Sequence, residues 1–336
     1  MNKPITTISS TKYFLKSLLT PKIPENVVSR FKYLDEKSLE TIETALKTHF
    51  FTQQDAWYSD INYLTSVAGQ EDLKDHLTGR LDSFRLSVIP WLNSMRPLEN
   101  SKILEIGCGT GVSTVALAEQ GAKVTAIDVV EDSLIVAKKR CEVYGLNVEL
   151  MLANSTEVHN LLAGQDFDFI IFFACLEHMT HNERMLAMKN TWEMLSNDSL
   201  WCLVDTPNRL WHYDQHTAHL PFYSWLPDDL AFAYSRFSPR KPFADLYQKI
   251  TDDSMLDFLR RGRGVSYHEF ELTMKPTGQL EVVSSLTDFL KSRNFLTKTV
   301  WSLKNRNPFE SLLIKLGPKI HKGFYQSSLD LIIRKT

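Results

Sequence analysis

The residues best able to do chemistry fall in two places. The run Leu104-Glu105-Ile106-Gly107-Cys108-Gly109-Thr110-Gly111 sets three glycines within five residues of a chain that has 13 among 336. Glycine at that density supplies backbone freedom, or lets a ligand approach the main chain. The pattern is E-x-G-x-G-x-G. A dinucleotide fingerprint needs glycine where Val112 stands, and a P-loop needs Gly-Lys-Ser/Thr, so both phosphate-binding readings fail. Asp128 lies 21 residues beyond Gly107, at the end of the next apolar run. A carboxylate there can accept both hydroxyls of a ribose lying over the loop. Its plainer role would be to cap the following helix.

The second place is rich in histidine. Five of the ten histidines lie between 178 and 219: His178, His181, His212, His216 and His219. An imidazole titrates near ~6.5 and can take a proton around neutrality. His178, His212 and His216 are therefore the candidate bases, although His178 can equally orient the helix after it. His212, Asp214 and His216 alternate on an extended segment, which can turn their side chains one way. With Glu177 or His178 they have the nitrogen and oxygen donors of a metal site. A hydrogen-bonded loop anchored by Asn208 and Arg209 accounts for the same residues without a metal, and the expectation is no metal. The run Arg260-Arg261-Gly262-Arg263 reads as solvated surface, or as a contact for a substrate phosphate or carboxylate.

These residues need elements to position them. The spacing predicts helices over 38–46 and 70–92, the second with Leu73, Leu77, Leu81, Phe84, Val88 and Trp91 on one face. From residue 102 the period changes. Short apolar runs at 102–106, 123–127, 148–152, 167–173 and 200–204 alternate with helical patterns at 112–120, 131–144 and 182–195. Apolar on both faces, such strands belong to a parallel sheet with helices on both sides. Between 206 and 247 the pattern breaks, with five prolines and ten of the chain's 37 aromatic residues. That is too apolar for a flexible linker, and predicts an ordered lid or pocket wall. Trp211, Tyr213, Phe222, Tyr223 and Trp225 would pack there or face a planar acceptor. A helix is expected over 280–291, a strand over 296–303, a helix over 308–321 that packs on the core, and a last strand over 329–334. The resulting division is 1–97 helical cap, 98–205 core, 206–280 insertion and 281–336 completion of the sheet.

Composition narrows the class. Apolar residues make up 43% and charged residues 23%, the profile of a globular protein. A net charge of -2 supplies no broad basic field to hold nucleic acid. The four cysteines, at 108, 141, 175 and 202, have no metal-ligand or disulfide-framework spacing, which fits a reducing compartment. Neither a signal-peptide run nor a membrane-spanning run is seen, so a cytoplasmic setting is expected.

The glycine loop, with Asp128 after it, resembles the cofactor motifs of class I S-adenosylmethionine-dependent methyltransferases. Leu176-Glu177-His178 resembles their small-molecule branch, including the ubiquinone-type O-methyltransferases. The resemblance covers about 98–205. It implies an α/β Rossmann-like fold, with S-adenosylmethionine held by Glu105, Gly107, Cys108, Gly109, Gly111 and Asp128. Val129 would pack on the adenine, and the amide oxygen of Asn154, beside Ser155, would accept from the adenine amino group. Phe173, Ala174 and Leu176 would hold the methionine portion. Some relatives carry Glu-x-x-Glu-His and bind a divalent metal; here Ala174 occupies the first Glu position. The implied function is methyl transfer to an oxygen or nitrogen of a small metabolite. A protein or RNA methyltransferase is one rival, although the loop motif Asn-Pro-Pro-Tyr is replaced by Ala174-Cys175-Leu176-Glu177. A non-catalytic cofactor-binding partner subunit is another.

Overall fold

The computed structural model describes residues 23–52, 63–246, 249–293 and 307–336. Its strands are Lys102–Ile106 (β1), Lys123–Asp128 (β2), Glu149–Leu152 (β3), Phe169–Phe173 (β4), Leu200–Pro207 (β5), Glu281–Ser285 (β6) and Ser328–Arg334 (β7). They form one sheet in the order β3-β2-β1-β4-β5-β7-β6. β1 to β5 are parallel, while β7 runs antiparallel to β5 and β6. The sheet is thus mixed rather than parallel throughout. The strand order reverses between β1 and β4, and open α/β sheets bind ligands beyond the carboxyl ends of the strands at such a point.

The core strands form as their sequences direct. β4 is Phe-Ile-Ile-Phe-Phe and is buried along its whole length, because helices cover both faces. One face carries the N-terminal helices with Val112–Ala118 and Glu131–Val143. The other carries His181–Met194, whose Met188 and Trp192 are buried with Leu195 just beyond its end, and Tyr267–Thr273. On the Glu131–Val143 helix, Leu134, Ala137 and Cys141 turn inward, and Tyr144 after it is buried too.

Three expectations change. The helix over 70–92 is broken into Val67–Lys74, a π-helical turn Asp75–Gly79, Arg80–Leu86 and Val88–Met95. Pro90 lacks the N–H that would bond Leu86, and its ring crowds that carbonyl, so the chain restarts at Val88. The segment over 280–291 is strand β6 followed by the helix Leu286–Arg293. Val282 pairs with Ile333 on β7, and that ladder overrides the helical spacing. The last helix is Pro308–Leu316 and stops at Gly317. The strand expected over 296–303 lies outside the described residues.

Residues beyond β5 build a small core of their own from Ala218, Leu220, Tyr223, Ala231, Phe232, Phe243 and Phe258. The insertion is therefore an ordered body. It rests on the carboxyl side of the sheet through Val265 N–H to Pro207 O (2.8 Å) and Arg263 N–H to Glu177 O (2.9 Å).

The N-terminal cap is pinned by a buried ion pair. Arg85 donates to both carboxylate oxygens of Glu119, at 2.8 and 2.6 Å, and to Lys32 O at 2.7 Å. Both side chains are nearly without exposure, at 4% and 0%. Removing one partner strands the other charge, which costs ~3–5 kcal/mol. Arg85→Met should therefore lose about that much stability in urea unfolding, and adding Glu119→Gln should recover most of it. Equal stabilities for the single variant and the parent would show that the pair contributes nothing.

Candidate active site

The glycine loop turns at the carboxyl end of β1. Gly107 and Cys108 both donate to Ile127 O, at 2.9 and 3.1 Å, so the loop is hung from the end of β2. Gly107 has φ +74°, and a Cβ there would stand 2.5 Å from the Cβ of Cys175. Gly111 has φ +78° and would meet Ala137 at 2.9 Å. Any other residue would be strained at both positions and would collide with its neighbour. Gly109 differs, for a Cβ there would meet nothing within 4 Å. Its side of the loop is open.

Glu105 does not face that opening. It has no exposure and accepts from the hydroxyls of Ser113 and Thr114, the latter at 2.7 Å. It ties β1 to the first turn of the helix that the loop opens. Burial pushes its carboxyl up to about 7, against the two hydroxyl donors. Asp128 accepts from Gly109 N–H at 2.8 Å and from Val130 N–H at 2.9 Å, one bond on each oxygen. Its pKa is raised by burial, with these amides opposing. The Val129 amide also favours the charged form, and the four lone-pair sites of the carboxylate still exceed these amide donors.

Around this pair lies apolar surface. Val129 is 64% exposed and Leu152, which ends β3, is 58% exposed. Phe173 is buried with its ring 5.3 Å from Phe84 of the cap, and Leu176 is buried. Ala174 has φ +43°, and Asp205 on the neighbouring strand has φ +56°. Strained backbone at the carboxyl edge of two adjacent strands marks a site where geometry is over-determined by its surroundings. Ser155 is buried. Asn154 is exposed, but its side-chain oxygen already accepts from the Thr156 N–H and hydroxyl, both at 3.0 Å. With both lone pairs used, that oxygen has nothing left for an adenine amino group. The NH2 is what Asn154 presents outward.

The histidine-rich strings separate. His216 comes over to the turn Leu176–His178, and its ring lies 5.4 Å from that of His178. Between them sits Glu177, with no exposure and no hydrogen-bond partner for either carboxylate oxygen. Burial pushes Glu177 up to about 8, and nearby Asp205 adds to this. Burial pushes His216 down to about 3 and also lowers His178. Glu177, His178 and His216 are the metal-capable cluster among the described residues. His212 and Asp214 do not join it. His212 packs against Phe309, with ring centres 5.2 Å apart. Asp214 accepts from the amides of Thr217, Ala218 and His219, so it shapes the loop. Alternation along the chain failed here because the segment turns back on itself, with Phe222 N–H donating to His212 O.

The basic run also has internal partners. Arg260 makes a bidentate pair with Glu183, both bonds 2.6 Å. Arg263 is 2% exposed and bonds Asp228 and the carbonyls of Tyr223 and Leu226. Neither of these two is free to meet a substrate anion.

One residue was missed by reading motifs. Arg140 is wholly buried and donates to Thr110 O in the glycine loop (2.9 Å), Leu77 O (3.1 Å) and His76 O (2.9 Å). It links the loop to the π-helical turn of the cap. The signal available was its place three residues after Ala137 on the inward stripe of the helix.

Similarity to known proteins falls in the core. Residues 103–198 match the methyltransferase domain family. A cypemycin N-terminal methyltransferase from Streptomyces sp is 47% identical over 53 residues, which are 16% of this chain and 22% of that protein. The ubiquinone biosynthesis O-methyltransferase of Bartonella quintana (strain Toulouse) is 32% identical over 120 residues, 35% of this chain and 46% of that one. The chain thus spans less than half the length of these relatives. Among solved structures, the magnesium protoporphyrin IX methyltransferase of Synechocystis PCC 6803 is similar at 19% identity. It covers 53% of this chain and 80% of that one with a TM-score of 0.35, too low to bear on the site.

Glu105 gives the site a measurable pH signature. Its pKa rises from 4.5 to about 7 on folding, so the folded state holds the proton more tightly. Stability present below the unfolded value is therefore lost as pH rises through the folded one. Glu105→Gln removes this titration. Between about pH 5 and pH 8, the parent should lose on the order of 1–3 kcal/mol more than the variant in urea unfolding. Parallel pH profiles would show that Glu105 is ionised throughout.

Proposed function

On a class I methyltransferase core that resembles the ubiquinone-type O-methyltransferases, we propose that this chain transfers the methyl group of S-adenosylmethionine to an oxygen or nitrogen of a small-molecule acceptor. One observation carries the reading. The open side of Gly109 and the spare lone pairs of Asp128 lie at the reversal of strand order, one short turn from the Glu177–His178–His216 cluster.

The residues fit the cofactor. Asp128 would take the ribose hydroxyls on lone pairs that its amide donors leave unused. Val129 and Leu152 offer exposed apolar surface for the adenine, with the NH2 of Asn154 as a donor to a ring nitrogen. Ala174 follows β4 toward the cluster, where the methionine portion would lie, while Phe173, Leu176, Cys108 and Ser155 are buried and would support that backbone from beneath. S-adenosylmethionine supplies an already activated methyl group, so the chain's task is alignment and removal of a proton where the acceptor has one. His178 and His216 are neutral at pH 7, because burial disfavours their charged forms. They are the polar groups best placed to meet the acceptor's hydroxyl or amine.

The relatives' names include an O-methyltransferase and an N-terminal methyltransferase, so the acceptor atom stays open between oxygen and nitrogen. The net charge of -2 favours a small molecule over RNA. The intact loop and Asp128 speak against a non-catalytic subunit. Among the described residues no helix is long and apolar enough to cross a membrane, and the four free thiols support a cytoplasmic setting.

Asp128→Ala should weaken S-adenosylmethionine binding more than tenfold in calorimetry, since hydrogen bonds to a charged group are worth ~1.5–3 kcal/mol. Unchanged affinity would remove the ribose assignment. His178→Ala and His216→Ala should each lower kcat by ~10²–10⁴ while leaving cofactor affinity intact. Near-parental turnover in both would detach the cluster from the reaction.

A further inference from the structure

The chain does not spread its charge evenly. Its net charge is -2, yet the sequence from 291 to 322 holds eight Lys or Arg residues and a single acid, Glu310. Glu310 is engaged, accepting from the Gln326 side chain at 2.6 Å. Lys315 and Lys319 are exposed and meet no acid among the described residues. In the same stretch the helix Pro308–Leu316 carries five large apolar residues in nine, and none of them is buried. The expected packing on the core is made by Leu313. Phe309, Leu312 and Leu316 stand three and seven positions along, so they share one face. Leu312 is 50% exposed on it and Leu316 73%. The insertion continues that face. The Phe309 ring lies 5.7 Å from Trp211 and 6.1 Å from Trp225, and Trp225 lies 5.0 Å from Phe222. Phe222 is half exposed and holds φ +58°, an unfavourable conformation for a residue with a Cβ. The Trp225 indole N–H already donates to Leu210 O at 3.2 Å, so what this exposed ring offers a partner is its apolar surface. Single exposed apolar side chains need no explanation, but a face joined through ring contacts marks an interaction surface.

We propose that the face formed by Phe222, Trp225, Leu312 and Leu316, flanked by Lys315 and Lys319, docks this protein on the surface of an anionic lipid bilayer. Apolar side chains and lysines on one short helix are what such a surface takes: the former enter the boundary of the acyl chains, and the latter meet lipid phosphates. The helix lies in that boundary rather than through it, since no helix among the described residues is long and apolar enough to cross. A single-stranded nucleic acid would use the lysines and the two rings, but it leaves Leu312 and Leu316 without a partner, because aliphatic side chains give bases no stacking platform. A second copy of the chain would cover the leucines, but a two-fold contact through this face brings the lysines of both copies together without an acid between them. The face belongs to the insertion and the C-terminal helix, both outside the 103–198 segment that matches the methyltransferase domain family. It stands apart from the methyltransferase reading, because bilayer binding needs neither cofactor nor acceptor.

The test is co-sedimentation of the full-length protein with sucrose-loaded vesicles in 0.1 M NaCl. Vesicles of 30% phosphatidylglycerol in phosphatidylcholine should carry the protein down, and pure phosphatidylcholine should carry down far less. Raising NaCl to 0.5 M should weaken the anionic binding, because the lysines are exposed and screened. Lys315→Ala with Lys319→Ala should weaken it by about 25-fold, roughly fivefold for each lysine near an anionic surface. Leu312→Ser with Leu316→Ser should weaken it by roughly tenfold or more through lost apolar contact. Leu161→Ser, an equally exposed leucine on the helix between β3 and β4, should bind as the parent does. Absence of binding to the anionic vesicles, or unchanged binding in both double variants, would overturn the proposal. So would a lowered melting temperature in the leucine variant, which would place those side chains in the core. Retention of a single-stranded RNA without vesicle binding would assign the lysines to nucleic acid instead. Sedimentation velocity showing a dimer that the leucine variant disperses, again without vesicle binding, would assign the face to a second copy. Calorimetry with S-adenosylmethionine on the same samples reads the methyltransferase assignment separately, so either reading can fail while the other stands.

Discussion

Arg140 has no exposed surface and no carboxylate beside it, and its burial is tolerated because three carbonyl oxygens take its protons. Burial pulls the guanidinium down to about 10, which still leaves it charged at neutral pH. A buried cation satisfied only by main-chain carbonyls is stable only while all of them stay in place. One belongs to Thr110, between the two glycines that frame the open side of the loop. The other two belong to the π-helical turn of the cap. One turn away on the same helix, Ala137 meets the spot where Gly111 can have no Cβ. Cap, helix and loop are therefore fixed as a set, and the loop conformation is not a property of its glycines alone.

The opposite side of the site depends on a second buried network. Arg184 has no exposure; it bonds Glu269 at 3.0 Å and the carbonyls of Leu176 and Arg263. His181 bonds Asp228 of the insertion, and its pairing with Asp228 and Glu269 pushes it up to about 9. Arg263 closes the circuit to Asp228 and lies over the ring of Tyr223. These bonds set the insertion against the turn that carries Glu177 and His178. They bring His216 within reach of residues 38 and 39 positions earlier in the chain, so the cluster exists only when the insertion is docked.

The two networks place constraint where the backbone is strained. Ala174 and Asp205 hold positive φ on neighbouring strands, directly between the glycine loop and the insertion. Asp205 N–H donates to Asp330 on β7 at 2.6 Å, where β5 and β7 slip register. The antiparallel β7 thereby supports the strained turn from the side that parallel strands leave open.

The parallel core, the glycine loop and the acid that follows it were legible in the sequence because each rests on local rules. Strands buried on both faces read as apolar runs, close backbone approach reads as clustered glycine, and a strand-end acid falls at a set interval. The helix over 131–144 followed from its inward stripe for the same reason. The break at Pro90 was as local, yet the long apolar spacing concealed it. What lay beyond sequence reading was every pairing that depends on distant segments meeting. The first part of the 280–291 segment, Glu281–Ser285, became a strand because β7 offered a ladder, and the helix follows it. Asn154 lost its free oxygen to its own turn, and Arg263, in a run that looked solvated, became an internal strut. His216 rather than His212 reached Glu177 because the loop folds back on itself around Asp214. Residue type and spacing determined which chemistry was available; only docking of the cap and the insertion on the sheet decided which of those groups face one another, because burial and hydrogen-bond satisfaction are properties of the assembled core.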